Sequence, residues 1–209
     1  MKFYDCAPAP SPRRVRMFIA EKKLDIPVVE VDLANREQHT EAFAKINPYR
    51  TVPALELEDG TVLTSSHAIC RYLEDIHPEP ALMGRNALVR GQIIDLDLRI
   101  EYEGFLAVGE SFRNRAKSFK NNAMPGQHEH AQIPELVERG RTRATQFMQW
   151  LDTRLDKREF IAGDQFTVAD ITAFTAIEFA RWIKLEAPAD HLNLHRWYDQ
   201  VSQRSSASV

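Results

Sequence analysis

Hydrophobic and polar positions alternate in two different ways along this chain. Residues 1–77 mix the period-two pattern of strands with the wider spacing of helices, and the remainder carries helical spacing almost throughout. Lys2 to Asp5 predicts a short strand, and Ala7-Pro8-Ala9-Pro10-Ser11-Pro12 a proline-rich loop. Val15, Phe18 and Ile19 open a helical stripe that runs to Leu24. Pro12 behind Ser11 makes that serine the expected N-cap. Val29, Val31 and Leu33 alternate with Glu30 and Asp32, which predicts a second strand over Pro27 to Leu33. A short helix through Phe43 and Ile46 ends at Asn47-Pro48. Pro53 to Leu57 and Thr61 to Thr64 form the arms of a hairpin, with Asp59-Gly60 at its turn. The second arm leads into Ser65-Ser66 and a helix with Ile69, Leu73 and Ile76 on one face. The strand–helix–strand opening predicts a parallel pair with a right-handed crossover.

His77-Pro78-Glu79-Pro80 stops that helix and opens a linker over residues 78–85. Ile93, Leu96, Ile100, Phe105 and Phe112 then mark one long helix, and Leu136, Ala144, Phe147, Leu151 and Leu155 a second. Asn121 to Gln132, with Pro125-Gly126 inside, is the loop between them. Thr167 and Asp170 carry the spacing of a capping box ahead of Ile171, Phe174 and Ile177. Leu194, Trp197 and Val201 make a last helix, and Ser205 to Val209 is expected to fray. The pattern therefore predicts an α/β domain over residues 1–77 and an all-helical domain over 86–209.

Composition narrows the functional classes. Apolar residues make up 44% and charged residues 27% of the chain, as in ordinary globular proteins. A net charge of −3 offers no footprint for nucleic acid. No apolar run reaches the roughly 20 residues of a membrane span, and Met1-Lys2-Phe3-Tyr4-Asp5 lacks the apolar core of a signal peptide. Cys6 and Cys70 are not spaced as a CxxC pair and fit a reducing compartment, so a cytoplasmic protein is expected. Gln127-His128-Glu129-His130 reads as a solvated polar loop, and no metal or redox cofactor is expected.

The chemistry concentrates at Ser65-Ser66. Free N–H groups and the positive end of a helix dipole make this junction a site for a small carboxylate. Thr51-Val52-Pro53-Ala54-Leu55, Ser65-Ser66-His67-Ala68-Ile69-Cys70-Arg71-Tyr72-Leu73, and Phe160-Ile161-Ala162-Gly163-Asp164 leading into Thr167-Val168-Ala169-Asp170 occur in an order and spacing that resembles the cytosolic glutathione transferase family. The resemblance covers nearly the whole chain. It implies a thioredoxin-like N-terminal domain, an all-helical C-terminal domain and, in most members, a homodimer. It also implies a cis Pro53, with the Val52 backbone pairing with the cysteinyl backbone of glutathione. Ser66 would hold the γ-glutamyl carboxylate and His39 the glycyl carboxylate. Ser65 stands where the family usually has an acidic residue for the ligand's ammonium group.

The group that favours the thiolate is less defined. Tyr4 lies inside the first strand, Cys6 follows it, and Ser11 is the hydroxyl nearest the first helix, where Arg13 or Arg14 adds positive potential. The stretch from Pro8 to Arg16 looks closest to a bacterial and fungal subgroup without the usual catalytic hydroxyl. That resemblance implies activation by the helix N-terminus and water-mediated contacts, which would leave Ser11 only a cap and bring in a polar group on the first long helix, Ser111 or Asn114. The cluster Arg13-Arg14-Arg16 reads equally as an anion site or a solvated face. Tyr102, Phe105, Phe112 and Trp182 read either as core or as the lining for an apolar co-substrate. The expected reaction is attack of the glutathione thiolate on a small apolar electrophile. Glutathione-dependent disulfide or peroxide reduction through Cys6, and a binding or scaffold protein without the chemistry, remain alternatives.

Overall fold

In the computed structural model, which describes residues 1–209, the chain divides into two compact units. One comprises Met1–Pro80 with Met124–Glu129 and Val209; the other comprises Ala81–Ala123 and His130–Ser208.

The first unit is a four-stranded mixed sheet in the order β2-β1-β3-β4. Its strands are β1 (Lys2–Asp5), β2 (Val28–Glu30), β3 (Ala54–Glu56) and β4 (Val62–Leu63). β1 pairs parallel to β2 and antiparallel to β3, and β3 pairs antiparallel to β4. The helix α1 (Pro10–Glu21) makes the crossover; α2 (Glu41–Ile46) and α3 (Ser66–Ile76) complete the unit. Period-two alternation gives the sheet two buried faces. Tyr4 and Ala54 meet Phe43 and Val31 on one face. Phe3 and Leu55 point to the other, and the buried stripes Val15–Phe18 of α1 and Ile69–Leu73 of α3 belong to that layer. Gly60 closes the hairpin at φ 84°, with Asp59 accepting from the Thr61 N–H.

β2 ends at Glu30, short of the expected Leu33, because only Val31 continues the ladder through a bond to Asp5 O. Ile76 is 42% exposed although it shares a stripe with Ile69 and Leu73; it sits in the last turn of α3, past the edge of the core.

The second unit is all-helical. It contains α4 (Ala87–Ile100), α5 (Leu106–Arg115), α6 (Glu135–Arg154), α7 (Val168–Ala180) and α8 (Leu192–Ser202). α7 is buried on nearly every side, and the capping box of Thr167 and Asp170 starts it as expected. The expected single long helix instead carries a π turn at Glu101–Phe105, where Gly104 lies against the Phe147 ring. A Cβ there would come 2.7 Å from that ring. The tail is not frayed: Ser205–Ser208 forms a short 3-10 turn with Ser206 and Ala207 buried.

α5 and α6 approach so closely at Gly140 that an added Cβ would lie 2.6 Å from Ala107 O and 2.7 Å from Ser111 N. Gly140→Ala would gain up to about 1 kcal/mol of helix propensity. Backbone atoms cannot swing aside as a side chain does, so overpacking of about 1–3 kcal/mol or more outweighs that gain. Urea unfolding of Gly140→Ala is expected to show a lower midpoint; an unchanged or higher one contradicts this packing.

Candidate functional site

Strand directions gather the candidate residues at one end of the sheet. The C-terminal ends of β1, β2 and β4 and the N-terminal end of β3 lie together, because β3 alone runs the other way. The segments leaving that end carry Ser11 after β1, His39 after β2, Val52-Pro53 before β3, and Ser65-Ser66 after β4. All six belong to the first unit.

The N-termini of α1 and α3 meet there. Ser11 Oγ lies 3.1 Å from Ser66 Oγ, and the Ser66 hydroxyl donates to Ser11 O at 3.2 Å. Arg14 Nη2 donates to Ser11 Oγ at 3.0 Å and to Ser66 Oγ at 3.3 Å. Ser11 is not the N-cap: Ala9 takes that position, and the helix starts at Pro10. Its hydroxyl is used between helices instead. Ser65 is the N-cap of α3 by backbone conformation, yet its exposed side chain makes no capping bond.

The arginine cluster divides into separate roles. Arg14 is only 5% exposed and turns into the Ser11–Ser66 junction. Arg16 pairs with the buried Asp5 at 2.6 Å and donates to Cys6 O and Ala7 O. Burial raises the Asp5 carboxyl while the Arg16 charge lowers it, and burial is the larger effect.

Val52–Pro53 is a cis peptide bond. Val52 lies outside the strand ladder, which leaves its N–H and C=O available to an extended segment. The approach to it is fixed by Asn47, read in the sequence only as a helix terminator. Fully buried, Asn47 donates to Thr51 O at 2.7 Å and accepts from the Tyr49 N–H at 2.9 Å. Arg50, at φ 57°, donates to His39 O and to Glu41, tying the His39 turn to the same segment. Burial, then Arg36 and Arg50, lower the His39 pKa, so its ring is neutral at pH 7. The positive charges beside it belong to Arg36 and Arg50.

Cys6 is buried, and burial raises its pKa, which keeps it a thiol. The Tyr4 phenol donates to Glu56 at 2.7 Å, and burial, followed by that bond, pushes it up to about 12. Neither is poised as a nucleophile. In the second unit, Asn114 donates to Glu110 O and accepts from the Ile133 N–H at 2.8 Å, so its amide bridges α5 to the segment before α6. Ser111 is buried on α5. Phe112 sits at the centre of an aromatic group, 5.3 Å from Phe119, 5.5 Å from Phe179 and 5.3 Å from Trp182. Trp182 and Tyr102 are exposed, whereas Phe105 is buried core. No group of three or more His, Cys, Asp or Glu is placed to hold a metal ion. No helix is long and apolar enough to cross a membrane.

Residues 9–76 match the family model described as "Glutathione S-transferase, N-terminal domain", and residues 105–205 that described as "Glutathione S-transferase, C-terminal domain". "Glutathione S-transferase 2" of Saccharomyces cerevisiae is 33% identical, over 99% of this chain and 87% of its own length. The crystal structure of Gtt2 from the same organism superposes with a TM-score of 0.91 at 33% identity, over 100% of this chain and 99% of that one. A glutathione S-transferase domain-containing protein of Marinobacter aquaeolei VT8 gives 0.91 at 35% identity, over 99% of both chains.

Proposed function

The chain belongs to the glutathione S-transferase family, and from that premise we propose that it conjugates the thiolate of glutathione to a small apolar electrophile. The observation that carries this reading is the shared sheet end, where the Val52-Pro53 backbone and the Ser66 helix start lie together. On this reading the extended cysteinyl segment of glutathione pairs with Val52, and its γ-glutamyl carboxylate takes the Ser66 hydroxyl and the first N–H groups of α3. Arg50 and His39 face the glycyl end. The positive end of α1 is left to favour the thiolate, with Ser11 at the start of that helix as the candidate hydroxyl. The thiol proton leaves to solvent. The sulfur then forms a carbon–sulfur bond as the electrophile's leaving group departs or its double bond accepts the electron pair.

On the same reading the glutathione domain is residues 1–77 and the helical domain residues 86–209. We place the protein in the cytoplasm as a homodimer that needs no metal or redox cofactor. The Cys6 reductase alternative is disfavoured by the burial of that thiol. The scaffold alternative draws on the uncharged Ser65.

Conjugation of glutathione to a chlorinated nitroaromatic, followed by absorbance, tests the reading. Ser66→Ala is expected to raise KM for glutathione by about ten- to a hundredfold, the worth of one hydrogen bond to a charged group. Cys6→Ala should leave the conjugation rate unchanged. A wild-type rate no higher than the uncatalysed one would favour the scaffold; disulfide reduction lost in Cys6→Ala would favour the reductase.

A further inference from the structure

Two adjacent serines begin α3, and they are treated differently. Ser66 is buried and tied into the Arg14–Ser11 network, while Ser65 is exposed and uncharged. The γ-glutamyl end of glutathione carries two charges, an α-carboxylate and an α-ammonium. Everything built at this junction suits the first.

A guanidinium only donates, so Ser11 Oγ and Ser66 Oγ both accept from Arg14 Nη2. Their own protons are thereby turned away from Arg14. The Ser66 hydroxyl is left with Ser11 O at 3.2 Å and Ser11 Oγ at 3.1 Å, both longer than the ordinary 2.5–3.0 Å of an O–H···O bond. Such a proton is readily redirected to an arriving carboxylate, whose charge-assisted bond is about twice as strong. The positive ends of two helices of 12 and 11 residues converge on the same point, and Arg14 adds a buried cation to them. Beside this, Ser65 offers an ammonium group only a hydroxyl oxygen.

We infer that this site holds the γ-glutamyl end of glutathione through its carboxylate alone, with Arg14 positioning Ser66, and that it accepts glutathione analogues lacking the α-ammonium group. The inference rests on the glutathione reading above. Arg14 is a positioning residue, since it acts through the two hydroxyls.

Calorimetric titration of the full-length protein with three ligands tests it. The ligands are reduced glutathione, glutaryl-cysteinyl-glycine, which keeps the carboxylate and lacks the amine, and 4-aminobutanoyl-cysteinyl-glycine, which keeps the amine and lacks the carboxylate. The glutaryl ligand is expected to bind within about threefold of glutathione, and the aminobutanoyl ligand at least about thirtyfold more weakly. Arg14→Met should weaken the two carboxylate ligands by about tenfold and leave the third unchanged, with Arg14→Lys restoring part of the loss. A role confined to folding would weaken all three alike. Ser65→Asp should strengthen glutathione and not the glutaryl ligand. A glutaryl ligand more than about tenfold weaker than glutathione overturns the inference, as does an equal loss of all three ligands in Arg14→Met. The comparison among ligands on the wild-type protein needs no variant to fold. If the wild-type protein binds none of the three, the glutathione reading falls as well; binding with the reverse preference removes only this inference.

Discussion

Lys22→Met is expected to destabilise the first unit by about 3–5 kcal/mol, the cost of removing one partner of a buried ion pair. Lys22 Nζ and Glu74 Oε2 are 2.5 Å apart, and both side chains are almost wholly buried. The ammonium group also donates to His77 O at 2.7 Å and Pro80 O at 2.6 Å, so its three protons have three acceptors. Lys22 is the C-cap of α1, and His77 that of α3, so the cation also meets the negative ends of two helices. Methionine keeps much of the volume but leaves the Glu74 carboxylate in the interior without that cation. Thermal unfolding should show a midpoint lower by roughly 10 °C, at about 2–4 °C per kcal/mol for a chain of this size. The double change Lys22→Met, Glu74→Leu should recover most of the loss, because replacing a whole buried pair by apolar groups is close to neutral. If Lys22→Met alone leaves the midpoint within a degree or so, the pair has been overvalued.

Asp170→Ala should cost at least about 4 kcal/mol, since it strands several buried donors worth roughly 1–3 kcal/mol each. The Asp170 carboxylate accepts from the Ile161 and Thr167 N–H groups, the Thr167 hydroxyl and Trp197 Nε1, at 2.9–3.0 Å. One side chain thus joins the turn at Ile161, the start of α7 and the middle of α8. Burial pushes its pKa up to about 6 in spite of those four donors. The native state therefore holds this proton more tightly than the unfolded chain does. Its contribution is fully present below about pH 4, the ordinary value of an aspartate, and is lost as pH rises through the folded value. Asp170→Asn cannot titrate, so the stability gap between it and the wild type should narrow from pH 4 to pH 7. Urea titrations at the two pH values check this; a gap that widens contradicts the assignment.

The hairpin at Asp59-Gly60 and the capping box at Thr167 were legible because each rests on local chemistry within four residues. Val52-Pro53 and Ser65-Ser66 were legible as a motif, and the antiparallel register of β3 and β4 explains why they meet. The π turn at Glu101–Phe105 was not, since its Gly104 packs against a Phe147 ring 43 residues further along the chain. Nor was the buried tail at Ser206 and Ala207, which carries no apolar period. The arginine cluster shows what a closer reading of helical phase offers. Ser11, Arg14, Val15 and Phe18 fall at spacings of three and four, which places Arg14 on the inward face and separates it from Arg13 and Arg16. Lys22–Glu74 pairs residues 52 apart, and no local pattern marks which of many lysines is buried.

Thiolate conjugation stands or falls on the thiol ionisation of protein-bound glutathione. The thiolate absorbs in the ultraviolet where the thiol does not, so a pH titration of the complex reads its pKa. A midpoint at least about one unit below the roughly 8.5 of an ordinary thiol is expected, set by the positive end of α1. An unshifted midpoint, or no complex to titrate, would contradict it.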